Sequence, residues 1–314
     1  MAPAATIERR VAVQQPPHVG SDTYANKQPL TSQPTGRAIF GGLLLSQAIS
    51  AASATVPPEF HVYSSHSNFL RPVAATFRDR VLYHVDRIGD GRSYATRVVR
   101  ATQGDRSACV YIATIAFQNR NTPAAGNVLD YGPPMPELDG LQPEDVPADL
   151  NRKILADGSS PDSPLQPLSS EVEAFDYRIF GIVAGDHPTE YRVRSFARTA
   201  EPLQAPTSSS AVHLAALAYM SDEMFLAMAI VANPDRVGVR ARHVAMGATL
   251  SHRIAFHEPA ARADAWTVSE RETSWGGGGR VLLHQRTWDL ETGRLAMTCE
   301  QEALIRLRED APKL

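Results

Sequence analysis

Only two cysteines, Cys109 and Cys299, occur in 314 residues, and no CxxC pair or His-rich spacing accompanies them. That excludes a disulfide framework and a structural zinc site, and a reducing compartment is expected. An excess of charge is also missing. Thirty-one Lys and Arg stand against 34 Asp and Glu, a net charge of -3, so no global field draws the chain to nucleic acid or to an anionic membrane. Any phosphate must be met locally. The N-terminal stretch MAPAATIERR has no apolar core for a signal peptide, and no run approaches the roughly 18 apolar residues of a membrane span. No membrane insertion is expected. Ser46 and Ser50 lie outside any G-x-S-x-G elbow, which removes support for serine-hydrolase chemistry. The glycine run Gly276 to Gly279 lacks the Lys-Ser/Thr of a phosphate-binding loop and reads as a hairpin end. What remains is ordinary globular composition, 43% hydrophobic and 21% charged, sufficient for a sizeable core.

One pattern is written twice along the chain. Residues 1–20 lack periodicity and read as a mobile arm, and 121–170, dense in Pro, Gly, Ser and acidic residues, read as a linker wrapping over a surface. Between and after them lie two units, 21–120 and 171–308, followed by a tail, 309–314. Each unit offers one long apolar helix, RAIFGGLLLSQAISAASATV in the first and 209–230 in the second, and a set of strand-like segments. Landmarks recur in step: Phe69 and Pro72 match Phe256 and Pro259 at an offset of 187, and Gly91-Arg92 matches Gly279-Arg280 at 188. A shared offset points to internal duplication. A helix apolar nearly all round must be covered on most faces, and a curved antiparallel sheet can do so. The fold expected is therefore α+β: two tandem hotdog units, a double hotdog.

Within the second helix, Ser221, Asp222 and Glu223 interrupt the apolar run from Leu217 to Ile230. Two readings stand side by side. The three residues can form a helix break, with Ser221 or Asp222 capping a second short helix, or they can mark a site cut into the flank of a buried helix. Glu223, one position on and about 100° round the helix, is expected to be a solvent or subunit-interface charge. The first helix has no acidic residue from Ala38 to Ala54, so only the second unit looks equipped for acid-base work. His66, His252 and His257 lie on strand-like segments and read as structural, and Cys299 as a small buried side chain.

RAIFGGLLLSQAI, HVYSSHSNFLRP, GRSYATRVV and YIATIAFQ in the first unit, then YMSDEMF, ATLSHRIAFHEP, TSWGGGGR and TCEQEALIR in the second, occur in the order found in type II acyl-CoA thioesterases, which the chain resembles over most of 35–118 and 170–308. The resemblance implies hydrolysis of an acyl-CoA to a free acid and CoA by an activated water, without metal or organic cofactor. It implies that Asp222, Thr249 and Gln301 hold that water, and that acyl-CoA is the partner. Asp222 would act as general base, while Thr249 and Gln301 orient the water or donate to the oxyanion. CoA phosphates need local cations, for which Arg240, Arg242 and Arg280 are candidates, with Arg236 nearby and Gly276 and Gly277 along the pantetheine arm. Where the family often has Gln after the first Gly pair this chain has Leu43, which leaves acyl length and CoA placement open. Alternatives on the same fold are a thioester hydratase or dehydratase, a non-catalytic acyl-CoA binder, and service in a dedicated biosynthetic pathway. A homo-oligomer is compatible with the fold. The terminal Pro312-Lys313-Leu314 has the small/basic/Leu shape of a peroxisomal address, leaving cytoplasm and peroxisome both open.

Overall fold

The computed structural model describes all residues except 1–3, 18, 31–38, 75–79, 105, 123–127, 149–173, 205–209, 239–240, 310 and 312–314. In chain order the elements are α1 (Thr6–Val11), β1 (Val13–Gln14), β2 (Thr23–Asn26), α2 (Gly41–Ser53), β3 (Phe60–Phe69), β4 (Val81–Asp90), β5 (Tyr94–Gln103) and β6 (Arg106–Asn119). They continue as β7 (Phe175–Val183), β8 (Arg192–Thr199), α3 (Ser210–Asp222), α4 (Ala227–Val231), α5 (Pro234–Val237), β9 (Val244–Phe256), β10 (Thr267–Gly277), β11 (Arg280–Asp289) and β12 (Leu295–Leu307). The sheet is a single antiparallel one in the order β1-β2-β4-β5-β6-β3-β9-β12-β11-β10-β8-β7. Read outward from its centre, β3-β6-β5-β4-β2 on one side is matched by β9-β12-β11-β10-β8 on the other. The repeat in the sequence is thus a repeat in topology, and the two hotdogs fuse where β3 pairs with β9, from Ser64↔Ala255 to Asn68↔Ser251.

Leu and Ala dominate α2 and α3, and both helices are buried on nearly every face. Ten of thirteen residues of α2 and eleven of thirteen of α3 are buried. Only a sheet that curves around them can supply that cover. The strands answer with alternation: in β5, Ala95, Arg97, Val99 and Ala101 face inward and are buried. Arg97 is fully buried because it closes the end of α2, donating from Nε to Thr55 Oγ1 at 2.8 Å and from Nη2 to Thr55 O at 3.1 Å.

Two expectations change. The arm is not free, since Thr6–Val11 forms a helix with Thr6, Ile7 and Val11 buried, and Arg10 O accepts from Gln47 Nε2 of α2 at 2.7 Å. Two apolar residues four apart were too few to reveal it as an amphipathic turn. Second, the chain does contain a stretch long and apolar enough to cross a membrane, Ser210–Val231, but 83% of its most apolar window is buried inside the protein, as befits a core helix. The described part of the Pro-rich segment, read from the sequence as a linker wrapping over a surface, packs on the sheet. Met135, Leu138 and Leu141 pack with Val146 against Phe196 and Val268, and Trp288 Nε1 donates to Pro133 O at 3.0 Å. Ser195, Ala197, Thr267 and Ser269 alternate with those two residues and face the helices, so the segment lies across the sheet's outer face. Residues 149–173 of the segment lie outside the described residues.

Candidate active site

Helix α3 stops at Asp222 because the backbone turns. Met224 has φ of 57°, a left-handed conformation that ends the helix before α4 restarts at Ala227. The Ser-Asp-Glu triplet is therefore a helix break and a buried polar locus at once, joining the two readings of the sequence. The Asp222 carboxylate leaves α3 at its C-terminus and meets the N-terminus of α2 from the other half. A Cβ on Gly41 would stand 2.9 Å from Asp222 Oδ2 and 3.1 Å from Phe69 Cε1, so this approach requires a glycine. The backbone N–H of Gly42 donates to the carboxylate. Helix α2 has no side-chain N-cap of its own and no acid in its first turn, so Asp222 supplies the anion at its positive end.

Two strands complete the site. Gln301 on β12 donates from Nε2 to Asp222 Oδ1 at 2.9 Å and contacts Thr249 Oγ1 at 2.5 Å, while Thr249 Oγ1 donates to Asp222 Oδ1 at 3.4 Å. Thr249 reaches this face only because β9 carries a bulge. Ser251 pairs with Glu302 but Thr249 with Ala303, leaving Leu250 unpaired and turning Thr249 inward beside the buried Ala303. Gln301 is fully buried, yet its Oε1 accepts no hydrogen bond among the described residues. Burial pushes the Asp222 pKa up to about 6, against the opposing pull of the Gly42 N–H, Gln301, Thr249 and the Arg271 charge.

The other half lacks this equipment. Strand β3 has the equivalent bulge, between Val62↔Phe117 and Ser64↔Ala116, which makes Val62 the counterpart of Thr249 and Ile115 that of Gln301. Both are buried and apolar.

Glu223 is not a surface charge. It is buried, accepts from the Tyr177 hydroxyl at 2.7 Å, and has its pKa raised to about 7 by burial. Nothing local in the sequence distinguishes it from an exposed helix acid, since its cover comes from β7. Ser221 donates to Ala218 O and lies 3.1 Å from His252 Nε2. Burial holds the His252 pKa down at about 3, and its Nδ1 has no partner among the described residues, so no acid orients it as a triad would need. Cys299 is buried with its thiol pushed up to about 12, consistent with an inert packing role. His66 is an exposed residue of β3, and His257 is exposed just past the end of β9.

The candidates for CoA are not gathered around the trio. Gly277 pairs with Arg280 across a two-residue turn in which Gly278 and Gly279 have φ of 59° and 79°, a tight hairpin that needs both glycines. Gly276 pairs with Val281 just inside that turn. Arg280 donates to Glu302 at 3.1 Å and lies over the Trp275 ring at 5.6 Å. It pairs with Leu304, whose side chain alternates with the inward Gln301 and Ala303, so Arg280 stands on the outer face, away from Asp222. Arg242 is exposed and bonds His243 at 3.0 Å, Arg236 is partly buried, and Arg240 lies outside the described residues.

A helix-wrapping double sheet with a carboxylate, a hydroxyl and an amide converging at the seam is the architecture of a hotdog thioester hydrolase. The comparisons agree: residues 29–118 match the acyl-CoA thioesterase N-terminal domain and 143–305 the acyl-CoA thioesterase C-terminal domain, and the chain belongs to this family. It is 31% identical over 289 residues to acyl-coenzyme A thioesterase 8 of Mus musculus, covering 88% of this chain and 82% of that protein. The peroxisomal acyl-coenzyme A thioester hydrolase 1 of Saccharomyces cerevisiae is 23% identical over 324 residues, with 88% of each chain covered. Among solved structures, acyl-CoA thioesterase II TesB2 from Mycobacterium marinum superposes with a TM-score of 0.72 at 26% identity, over 97% of this chain and 99% of that one. The protein is an enzyme, an acyl-CoA thioester hydrolase.

Proposed function

We propose that hydrolysis proceeds by attack of a water held between Asp222, Thr249 and Gln301. The observation that carries this reading is the orphaned Oε1 of Gln301, a buried acceptor beside a hydroxyl and a carboxylate. A water seated there would donate one proton to Gln301 Oε1 and the other to Asp222. As its oxygen attacks the thioester carbonyl carbon, Asp222 takes the proton and the carbonyl becomes an oxyanion. The first turn of α2 offers that oxyanion N–H groups and a positive helix end. Collapse of the intermediate breaks the C–S bond, and Asp222 returns its proton to the departing CoA thiolate. No external oxidant, reductant or metal enters this balance.

The test is thiol release from a panel of acyl-CoAs by the wild type and Asp222→Asn. Loss of turnover with substrate binding retained supports Asp222 as base; turnover indifferent to the change overturns the role. The same panel defines acyl length, which Leu43 at the start of α2 leaves open.

We also propose a peroxisomal compartment and a homo-oligomeric state. The first is supported by the name of the yeast relative, and colocalisation of a tagged chain with a peroxisomal matrix marker tests it. The second follows from the general tendency of such chains to assemble with closed symmetry, and light scattering after gel filtration tests it.

A further inference from the structure

Arg271 is a buried cation with no place in the chemistry above. It sits on β10, 3% exposed, and all three of its guanidinium nitrogens are committed. Nη1 donates to Glu223 O at 2.9 Å, Nη2 to Met220 O at 3.4 Å, and Nε to Gln285 Oε1 at 3.0 Å. Its guanidinium carbon lies 5.8 Å from the centre of the Tyr177 ring and 5.9 Å from that of Phe225. Gln285 is itself fixed, with Nε2 donating to Thr287 Oγ1 at 3.0 Å. Tyr177 donates to Met220 O as well, at 3.2 Å.

These contacts bracket one residue. Met220 and Glu223 are the carbonyls two before and one after Asp222, and Met224 follows in its left-handed conformation. A helix that breaks leaves its last carbonyls without i+4 partners; from the backbone Met220 O accepts only a long bond, from the Glu223 N–H at 3.3 Å, and a planar guanidinium fork can hold it and Glu223 O at a fixed spacing. The break places the carboxylate. We propose that Arg271 is a positioning residue for the reaction: anchored by Gln285, it clamps the end of α3 so that Asp222 is held against the Gly41–Gly42 turn, Thr249 and Gln301.

A second consequence is electrostatic. Arg271 brings a buried positive charge to a place that already holds Asp222 and Glu223, and it favours the ionised form of both. Other titratable groups around this locus are Arg10 on α1, Tyr219 on α3, Tyr177 on β7, Tyr111 on β6, His252 on β9 and Cys299 on β12. Among the described residues, Arg10 is the other cation that acts on Glu223, whereas Arg271 alone among cations lowers the Asp222 pKa.

The inference rests on Asp222 being the base, and the experiment separates the two. Arg271→Met, Arg271→Lys, Gln285→Leu and Asp222→Asn are compared with wild type for kcat, KM, melting temperature and pH profile. Arg271→Met is expected to lose about tenfold or more in kcat with KM within about twofold, and its acidic limb should move to higher pH. Arg271→Lys should return the limb toward wild type while recovering kcat only in part, because the charge is restored and the fork is not. Gln285→Leu keeps the charge and frees the anchor, so it keeps the limb and lowers kcat; it also serves if Arg271→Met does not fold. Folded Arg271→Met with wild-type kcat and limb overturns the clamp while leaving Asp222 as base, provided Asp222→Asn is inactive. A lowered melting temperature alone, with both kinetic readouts unmoved, assigns Arg271 to structure and also overturns it. Activity in Asp222→Asn removes the base instead.

Discussion

At the scale of the residue, Asp222 is under opposed forces, and the balance has measurable sign. Burial raises its pKa to about 6, so the carboxylate is ionised above that value and protonated below it, and the proposed hydrolysis needs the ionised form. The rate of hydrolysis should therefore rise through about pH 6 along a single-proton limb, and Asp222→Asn should lower kcat by about 10² to 10⁴. Initial rates between pH 4.5 and 8 check both. The same shift works against stability. A carboxyl whose folded pKa lies above its unfolded value stabilises the fold below the unfolded pKa and loses that contribution as pH rises through the folded one. Against an ordinary value of 3.8, ionising Asp222 costs about 3 kcal/mol. Asp222→Asn should then melt higher than wild type at pH 8, with about half of that gain left at pH 5 and the gap closing only below about pH 4, an inactive enzyme that is the more stable one. Equal melting shifts at the two pH values would count against a buried, strained charge.

At the scale of the element, the first turn of α2 matters as much as the acid it faces. Gly41→Ala puts a methyl 2.9 Å from Asp222 Oδ2, and the carboxylate must yield. A loss of kcat of about 10² or more is expected with little change in melting temperature. Gly42→Ala meets Phe40 Cε1 at 2.4 Å and the backbone of Tyr219 at 2.8 Å, so the two helices themselves must separate. Its signature should be a loss of about 1–3 kcal/mol of stability from overpacking, read as a lower melting temperature, which thermal denaturation of the pair would distinguish. How far these elements were legible follows the range of the signal. The helix α2, strands β3 to β6 and their repeats announce themselves through period and spacing, as does the polar triplet in α3. The helix α1 is too short to declare a periodicity, the inward turn of Thr249 depends on a bulge set by pairing with β12, and the burial of Glu223 and Arg271 comes from strands remote in sequence. The roles of Asp222, Thr249 and Gln301 came from resemblance, since each alone is an ordinary helix or strand residue.

At the scale of the whole molecule, duplication has produced two similar halves with unequal content. Thr249 and Gln301 have Val62 and Ile115 as counterparts, so a non-hydrolysable acyl-CoA analogue should titrate calorimetrically to one site per chain. Two equivalent sites would contradict that asymmetry. The first half still matters to the chemistry, because it supplies the glycine turn.

That division has a practical corollary. The carboxylate belongs to one half and the turn that receives it to the other, so under the proposed mechanism catalysis behaves as a logical AND gate. Two separately expressed halves would each be silent, and thiol release on mixing them would report that β3 and β9 had zipped together in register. The enzyme contains, in its own seam, the parts of a split reporter.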